Sequence, residues 1–384
     1  MKFQDLLQSS AEFENIIEEA KKGKFPIHVT GPSESVKAHF VMSLLAKLQR
    51  KGFIITYSEM QAKKLCDDIC FFDKDAAVVI PETDLLLYKA EAADNAAENK
   101  RMEALLTISQ KKVVILSVMS LLQYAVSRKD LELLSFEAGV GDVFSMEELI
   151  DRFINMGYTR LDVVESPGQF AVRGGIIDIF SPGGDAFRIE FFGDEIDLIK
   201  VFDPLTQLST DKRDKVKISP ASSRSFKGSM LSYIDKEDIV VFDEPVRISE
   251  TAETIRFELE DNIKTLIEKE VEFDSEKEYL QSYSKIITKL TANPILSMAS
   301  LSRVCPDFRT KTNLNLTART LQNYGGNIDF LYDDITAWER AKYNIFILGG
   351  SSQRAKSFVK PFTKRALKQL IILHLKKLTI QMVL

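Results

Sequence analysis

The stretch Pro26-Ile27-His28-Val29-Thr30-Gly31-Pro32-Ser33-Glu34-Ser35-Val36-Lys37-Ala38 decides the fold class. Its first half is a short apolar run. Its second half opens a segment with apolar residues at Phe40, Val41, Leu44, Leu45 and Leu48, a helical period. Strand, Gly-Pro turn and helix together open an α/β unit. The alternation continues with a strand at Phe53–Tyr57, Ser58 as the N-cap of a helix running to Phe71, and a strand at Ala77–Ile80. A helix from Asn95 to Ile108 and a strand at Val113–Leu116 follow. Four apolar strands separated by helices predict a parallel sheet covered by helices.

A chain of 384 residues is too long for one ordinary core, so more than one domain is expected. Lys and Arg number 51 against 56 Asp and Glu, and 45% of residues are hydrophobic. That balance fits a folded globular chain, not a disordered one. It also excludes a surface that grips nucleic acid throughout, while leaving room for a local basic patch. Three cysteines give no disulfide framework and point to a reducing, cytoplasmic compartment. Met1 to Asp5 lacks the order of a signal peptide, and no run of about 20 uncharged apolar residues exists, so no membrane partner is expected.

Near Arg128 the pattern changes. Ser145 and Glu148 have the spacing of a capping box, so a helix is predicted to begin there. Beyond Gly157 the chain reads as strands. Phe170 to Phe180 is an extended pair bent at Gly174-Gly175. Phe187 to Phe191 alternates with period two, and Gly193-Asp194-Glu195 turns it back through Ile196 to Phe202. From Glu237 the α/β pattern returns, with a strand Asp238–Phe242, a charged helix from Glu250 to Glu272, and a late strand Asn344–Leu348. The expected organisation is an α/β domain split by an insertion. Residues 1–127 form the first part of a degenerate P-loop-type parallel-sheet domain. Residues 128–215 form an inserted small α+β domain, and 216–335 complete the first domain. Residues 336–384 start a third, truncated α/β domain with an atypical basic tail.

Thr30 to Ala38 sits where a phosphate-binding loop would sit. Gly31 and Lys37 occupy their required places. Val36 replaces the second glycine, where a Cβ crowds the backbone around phosphate, and Ala38 replaces the hydroxyl that would hold Mg²⁺. The favoured reading is a structural relic with no cofactor, and residual nucleotide binding is the alternative. Asp243-Glu244, at the end of a strand, resembles the acidic box of such NTPases, although a carboxylate pair there also serves solubility alone. Cys66 and Cys70 are one helical turn apart, but the chain lacks partners for a zinc site. No metal site and no catalytic residue are expected.

The motifs Phe170-Ala171-Val172-Arg173-Gly174-Gly175-Ile176-Ile177-Asp178-Ile179-Phe180, Phe187 through Ile196, and Val201-Phe202-Asp203-Pro204-Leu205-Thr206-Gln207 carry a resemblance. Together they resemble a module shared by excinuclease B and the bacterial transcription-repair coupling factors. The altered phosphate loop favours the coupling factors, as do Tyr324 through Leu331, Trp338 and Ile345 to Gly350. The resemblance covers Phe3 to Lys360 and is to that family's N-terminal region. It implies that the inserted domain docks excinuclease A, the damage-recognition ATPase. It further implies that RNA polymerase and duplex DNA are engaged through C-terminal domains, including a motor that uses ATP and Mg²⁺, and the resemblance stops before both.

Carried over residue by residue, Arg173 matches a docking arginine, Arg160 a second one, and Phe180 could supply an apolar anchor. Arginine and aromatic residues dominate interface hot spots; the plainer reading of Arg173 is a local ion pair. From Arg354 to Leu384 there are eight basic residues and no acidic one, and beyond Lys360 nothing is recognised. A frame change or early stop would give such an ending, and a short helix with a basic face is the alternative. The expected function is non-enzymatic: recruiting excinuclease A to polymerase stalled at DNA lesions. An ATP-dependent repair enzyme closer to excinuclease B, or a non-functional fragment, stands as the alternative.

Overall fold

The computed structural model describes residues 7, 10–85, 87, 96–224, 226–274, 277–301, 303–318, 324, 325, 328–341, 343, 345–349, 370–374 and 379–382. The chain divides into two compact units, one spanning Glu12–Ala318 and the other made of Met1–Ala11 with Arg319–Leu384.

The larger unit begins with α1 (Ala11–Lys21), β1 (Ile27–Thr30), α2 (Glu34–Leu48), β2 (Gly52–Thr56) and α3 (Glu59–Phe72). It continues through β3 (Ala77–Ile80), α4 (Ala96–Thr107), β4 (Val113–Ser117), α5 (Val118–Leu122) and α6 (Arg128–Leu134). Ser58 caps α3 by accepting from the Gln61 amide, as its position predicts. A middle segment then holds β5 (Phe136–Gly139), α7 (Met146–Asn155), β6 (Thr159–Arg160), β7 (Gln169–Arg173) and β8 (Ile176–Phe180). It ends with β9 (Ala186–Phe192), β10 (Glu195–Phe202), β11 (Ser209–Arg213) and β12 (Lys215–Ile218). After it come β13 (Ile239–Asp243), α8 (Pro245–Glu268), α9 (Tyr283–Leu290), β14 (Ile295–Ala299) and β15 (Thr312–Asn315).

Strands from both sides of the middle segment share one seven-stranded sheet, in the order β15-β1-β14-β13-β2-β4-β3. Every pairing in it is parallel. Four of its five inner strands, β2, β4, β13 and β14, are buried at every residue, and for β2, β4 and β13 this is why they read as apolar runs. Phe53, Leu116, Val240, Phe242 and Ile295 belong to one core, and burying a side chain of that size contributes about 1.5–3 kcal/mol. The α/β reading is borne out.

The middle segment forms a six-stranded sheet in the order β11-β10-β9-β8-β7-β6, antiparallel except where β6 meets β7. Leu149 and Phe153 of α7 pack with Phe170, Ile177, Ile179, Ile189, Ile196 and Ile199 of the sheet. The β5–β12 pair runs to Ile218, past Lys215.

Two local readings differ from the structure. Helix α7 starts where the capping box predicts, but the Ser145 side chain makes no capping hydrogen bond. Helix α8 starts at Pro245, five residues before Glu250. Proline has no N–H to satisfy and its φ suits the first helical turn, so the strand passes straight into the helix.

The smaller unit contains α10 (Ile328–Arg340), β16 (Ile345–Gly349), β17 (Leu370–His374) and β18 (Thr379–Met382). Strand β17 pairs parallel with β16 and antiparallel with β18. These parts of the tail are strand where a basic helix was the alternative. All eight basic tail residues lie outside the described residues, as do Gly326 and Asn327. Among the described residues, no helix is long and apolar enough to cross a membrane.

Candidate functional site

Only three residues separate β1 from α2. A phosphate loop wraps further, turning successive backbone N–H groups toward the anion. Here the amides of Val36 and Lys37 both donate to the Ser33 carbonyl, at 2.9 and 3.3 Å, and so belong to the helix. The Gly31 amide donates to the Ala299 carbonyl at 2.9 Å. Gly31 itself has φ +94°, and a Cβ there would stand 2.8 Å from the Leu316 carbonyl oxygen. The loop is packed down onto its neighbours.

Lys37 is fully buried, and its ammonium is ringed by carboxylates. It pairs closely with Glu34 and stands 2.7 Å from Asp243 and 2.9 Å from Glu244. Gln61 ties the ring together, donating to Glu34 at 2.8 Å and to Asp243 at 3.1 Å, and Thr56 donates to Asp243 at 3.3 Å. The Ser300 amide and hydroxyl donate to Glu244 at 2.9 and 2.8 Å. Burial opposes the charge on Lys37, but Asp243 beside it outweighs that and raises its pKa, so the ammonium stays protonated. Burial likewise works to raise Glu34 and Glu244. Hydrogen bonds from Lys37, with Gln61 for one and Ser300 for the other, leave both below the ordinary carboxylate range. Burial pushes Asp243 up against the pull of Lys37.

Glu34, Asp243 and Glu244 bring carboxylate oxygens within 4.8 Å of one another, close enough for a metal ion. The Lys37 ammonium is the cation among them, and a divalent ion would have to displace it. The structure thus joins Lys37, Asp243 and Glu244, which the sequence singled out separately. Val36 is half-buried and Ala38 buried, and neither touches the ring through a polar group. Glu34 and Gln61 were not foreseen; only the i,i+3 spacing of Glu34 and Lys37 signalled a pairing.

A second constellation lies on the middle sheet. In register across β7, β8, β9 and β10 stand Ala171, Asp178, Arg188 and Lys200. Asp178 is fully buried and receives Arg188 through Nε at 2.7 Å and Nη2 at 2.9 Å, a two-pronged pair. Arg173 adds a close bond from Nη2 to the same carboxylate while its side chain keeps 46% of its exposure. One buried carboxylate thus faces two guanidiniums, leaving a local excess of positive charge. Arg188 also stacks on Phe202, with 5.1 Å to the ring centroid. Phe180, two residues along β8 from Asp178, is half-buried against Val164, Ala171, Ala186 and Phe202. Arg160 is exposed on the edge strand β6, where it registers with the core residue Phe170 and not with Arg173.

Residues 136–223, which contain this sheet, match the family model of the UvrB interaction domain. Over 408 residues the chain is 24% identical to the transcription-repair-coupling factor of Staphylococcus haemolyticus, covering 90% of this chain and 34% of that protein. Against its Bacillus subtilis counterpart the identity is 22% over 420 residues, covering 92% and 35%. Against that of Staphylococcus aureus strain USA300 it is 30% over 212 residues, covering 54% and 18%. The chain is similar to the N-terminal region of the transcription-repair-coupling factors. It spans about a third of the length of the coupling factors it matches along most of its own length. The matched span takes in most of this chain, and the family model takes in the middle sheet.

Proposed function

We propose that this chain acts in transcription-repair coupling by recruiting the excision-repair damage-recognition protein, excinuclease A, through the sheet that holds Arg173. The observation that carries the reading is the Asp178 arrangement within the UvrB-interaction segment: Arg188 holds the buried carboxylate, and Arg173 keeps half its surface for a partner. An acidic group on the partner would pair with the free face of that guanidinium. Phe180 lies on the same face, whereas Arg160 on the edge strand registers with Phe170 of the opposite face and stands apart from this patch.

We also infer that the parallel-sheet domain is a P-loop-type fold that neither binds nor hydrolyses ATP. Two facts support this: the amides a phosphate would need are used inside α2, and Lys37 is neutralised by three carboxylates. The same facts weigh against an ATP-dependent enzyme closer to excinuclease B. In this reading RNA polymerase and duplex DNA are engaged by parts of the relatives outside the matched third. The test is capture of purified excinuclease A by this chain. Binding that weakens in Arg173→Glu is the expected result, and no capture by the unaltered chain would overturn the proposal.

A further inference from the structure

Parallel inner strands are apolar on both faces, yet β1 and β14 carry a polar pair at their centre. His28 registers with Ser297 on one side and Asn313 on the other. Its Nδ1 meets Ser297 Oγ at 2.7 Å. His28 is only 4% exposed, and among the described residues its Nε2 has no hydrogen-bond partner. Buried polar atoms without partners are uncommon because each forfeits its hydration. With the Ser297 hydroxyl donating to Nδ1, the neutral ring carries its proton on Nε2, a donor lacking an acceptor. Burial holds the imidazole below its usual pKa and so in that neutral form.

His28 forms part of the wall of an open cleft of about 800 Å³. That volume lies within the range of small-molecule sites. Arg303, Arg309 and Asn313 also line it. Among the described residues neither arginine is in a salt bridge. Asp307 is the one acidic residue of the described lining, and it accepts from Tyr283 Oη at 2.7 Å. The bond from the neutral Tyr283 hydroxyl leaves the Asp307 charge in place, so two arginines against one carboxylate give the described lining one net positive charge. Its donors are two planar forks and one imidazole N–H, a set that matches an oxyanion with three or more acceptor oxygens better than a two-oxygen carboxylate.

We propose that this cleft binds a small phosphate-bearing anion, with Arg303 and Arg309 on its rim and His28 Nε2–H reaching the terminal phosphate oxygens. Since His28 is almost wholly buried, the group that reaches it is small and terminal, which favours a phosphate end over the continuous backbone of a nucleic acid. The site borders the Lys37 ring, since Arg303 also lines a smaller cavity with Glu34 and Glu244, but it takes no residue from the middle sheet and does not depend on the recruitment reading.

The chain has three histidines, so the imidazole nitrogen spectrum of the labelled protein can be assigned with His28→Gln. Inorganic phosphate is titrated at constant ionic strength, with acetate as the carboxylate counterpart, following the His28 resonances and the heat of binding. Phosphate is expected to move His28 saturably and acetate is not. Arg303→Ala and Arg309→Ala, both at exposed positions that leave the fold intact, are each expected to weaken phosphate binding about ten-fold, the size of one lost charge-assisted hydrogen bond. No movement of His28 at millimolar phosphate would overturn the proposal. Equal binding of acetate, or binding unchanged in both arginine variants, would overturn it too.

Discussion

Arg173 can separate the proposed docking role from a structural one, because its side chain both bonds Asp178 and keeps 46% of its exposure. A lone surface arginine could be replaced at a cost within about 0.5 kcal/mol. The contact with buried Asp178 raises that figure. In Arg173→Ala the carboxylate keeps its two-pronged bond to Arg188, so the loss is one half-exposed, solvent-screened interaction, and about 1 kcal/mol of stability is expected to go. Arg188→Ala leaves Asp178 with only the partly exposed Arg173 and also removes the stack on Phe202, so about 3–5 kcal/mol is expected. Binding should rank the other way. In the proposed docking, Arg173→Glu sets a carboxylate where a guanidinium would meet an acidic partner, and should cost on the order of 2–5 kcal/mol of affinity for excinuclease A. Urea unfolding of the three variants, with calorimetric binding at concentrations of urea where each is folded, gives both rankings. The reasoning is refuted if Arg173→Ala unfolds as readily as Arg188→Ala, or if Arg173→Glu binds as tightly as the unaltered chain.

Lys37→Met leaves three carboxylates around an apolar group, and a loss of about 3–5 kcal/mol is expected at neutral pH by thermal or urea unfolding. Asp243 has a raised pKa in the folded chain, so its ionisation opposes folding above that pKa and its protonation relieves the variant below it. The gap between Lys37→Met and the unaltered chain should therefore narrow as pH falls through the raised Asp243 pKa, and a gap that widens there would refute the assignment. The depressed Glu34 and Glu244 act oppositely in the unaltered chain, contributing stability above their unfolded pKa that is lost as pH falls through their lower folded values. Restoring the motif residues with Val36→Gly and Ala38→Ser should yield no ATP hydrolysis, since the loop geometry and the Lys37 ring persist; a phosphate-release assay checks it. Gly31→Ala should lower stability by about 1–3 kcal/mol in a urea melt, through its left-handed φ and the contact with Leu316.

What the sequence displayed and what it concealed follow from the range of the interactions involved. The parallel sheet was legible because strands buried on both faces must be apolar throughout, as Phe53–Ile55 and Val113–Leu116 are. The β7–β8 and β9–β10 hairpins were legible because Gly174-Gly175 and Gly193 mark reversals inside alternating runs. The stretch Thr30–Ala38 also showed a glycine and a lysine at phosphate-loop spacing without the second glycine or the hydroxyl. It could not show what surrounds Lys37, because Asp243 and Glu244 lie more than two hundred residues from it and meet it only when β13 is placed in the same sheet as β1. Asp178 was hidden for a related reason. Inside the run Ile176-Ile177-Asp178-Ile179 it looked like one polar residue of an alternating strand, and only the cross-strand register with Arg188 makes it the buried anchor for two arginines. The same register logic puts His28 opposite Ser297 and Asn313. For Asp178 and His28 a polar residue in an apolar strand was the visible sign, and its partner came from another strand; for Asp243, at the end of β13, the partner Lys37 came from helix α2. A buried ionisable group in such a strand costs stability unless the fold supplies its counterpart, so the polar exceptions within apolar strands are the positions at which this sequence points to its sites.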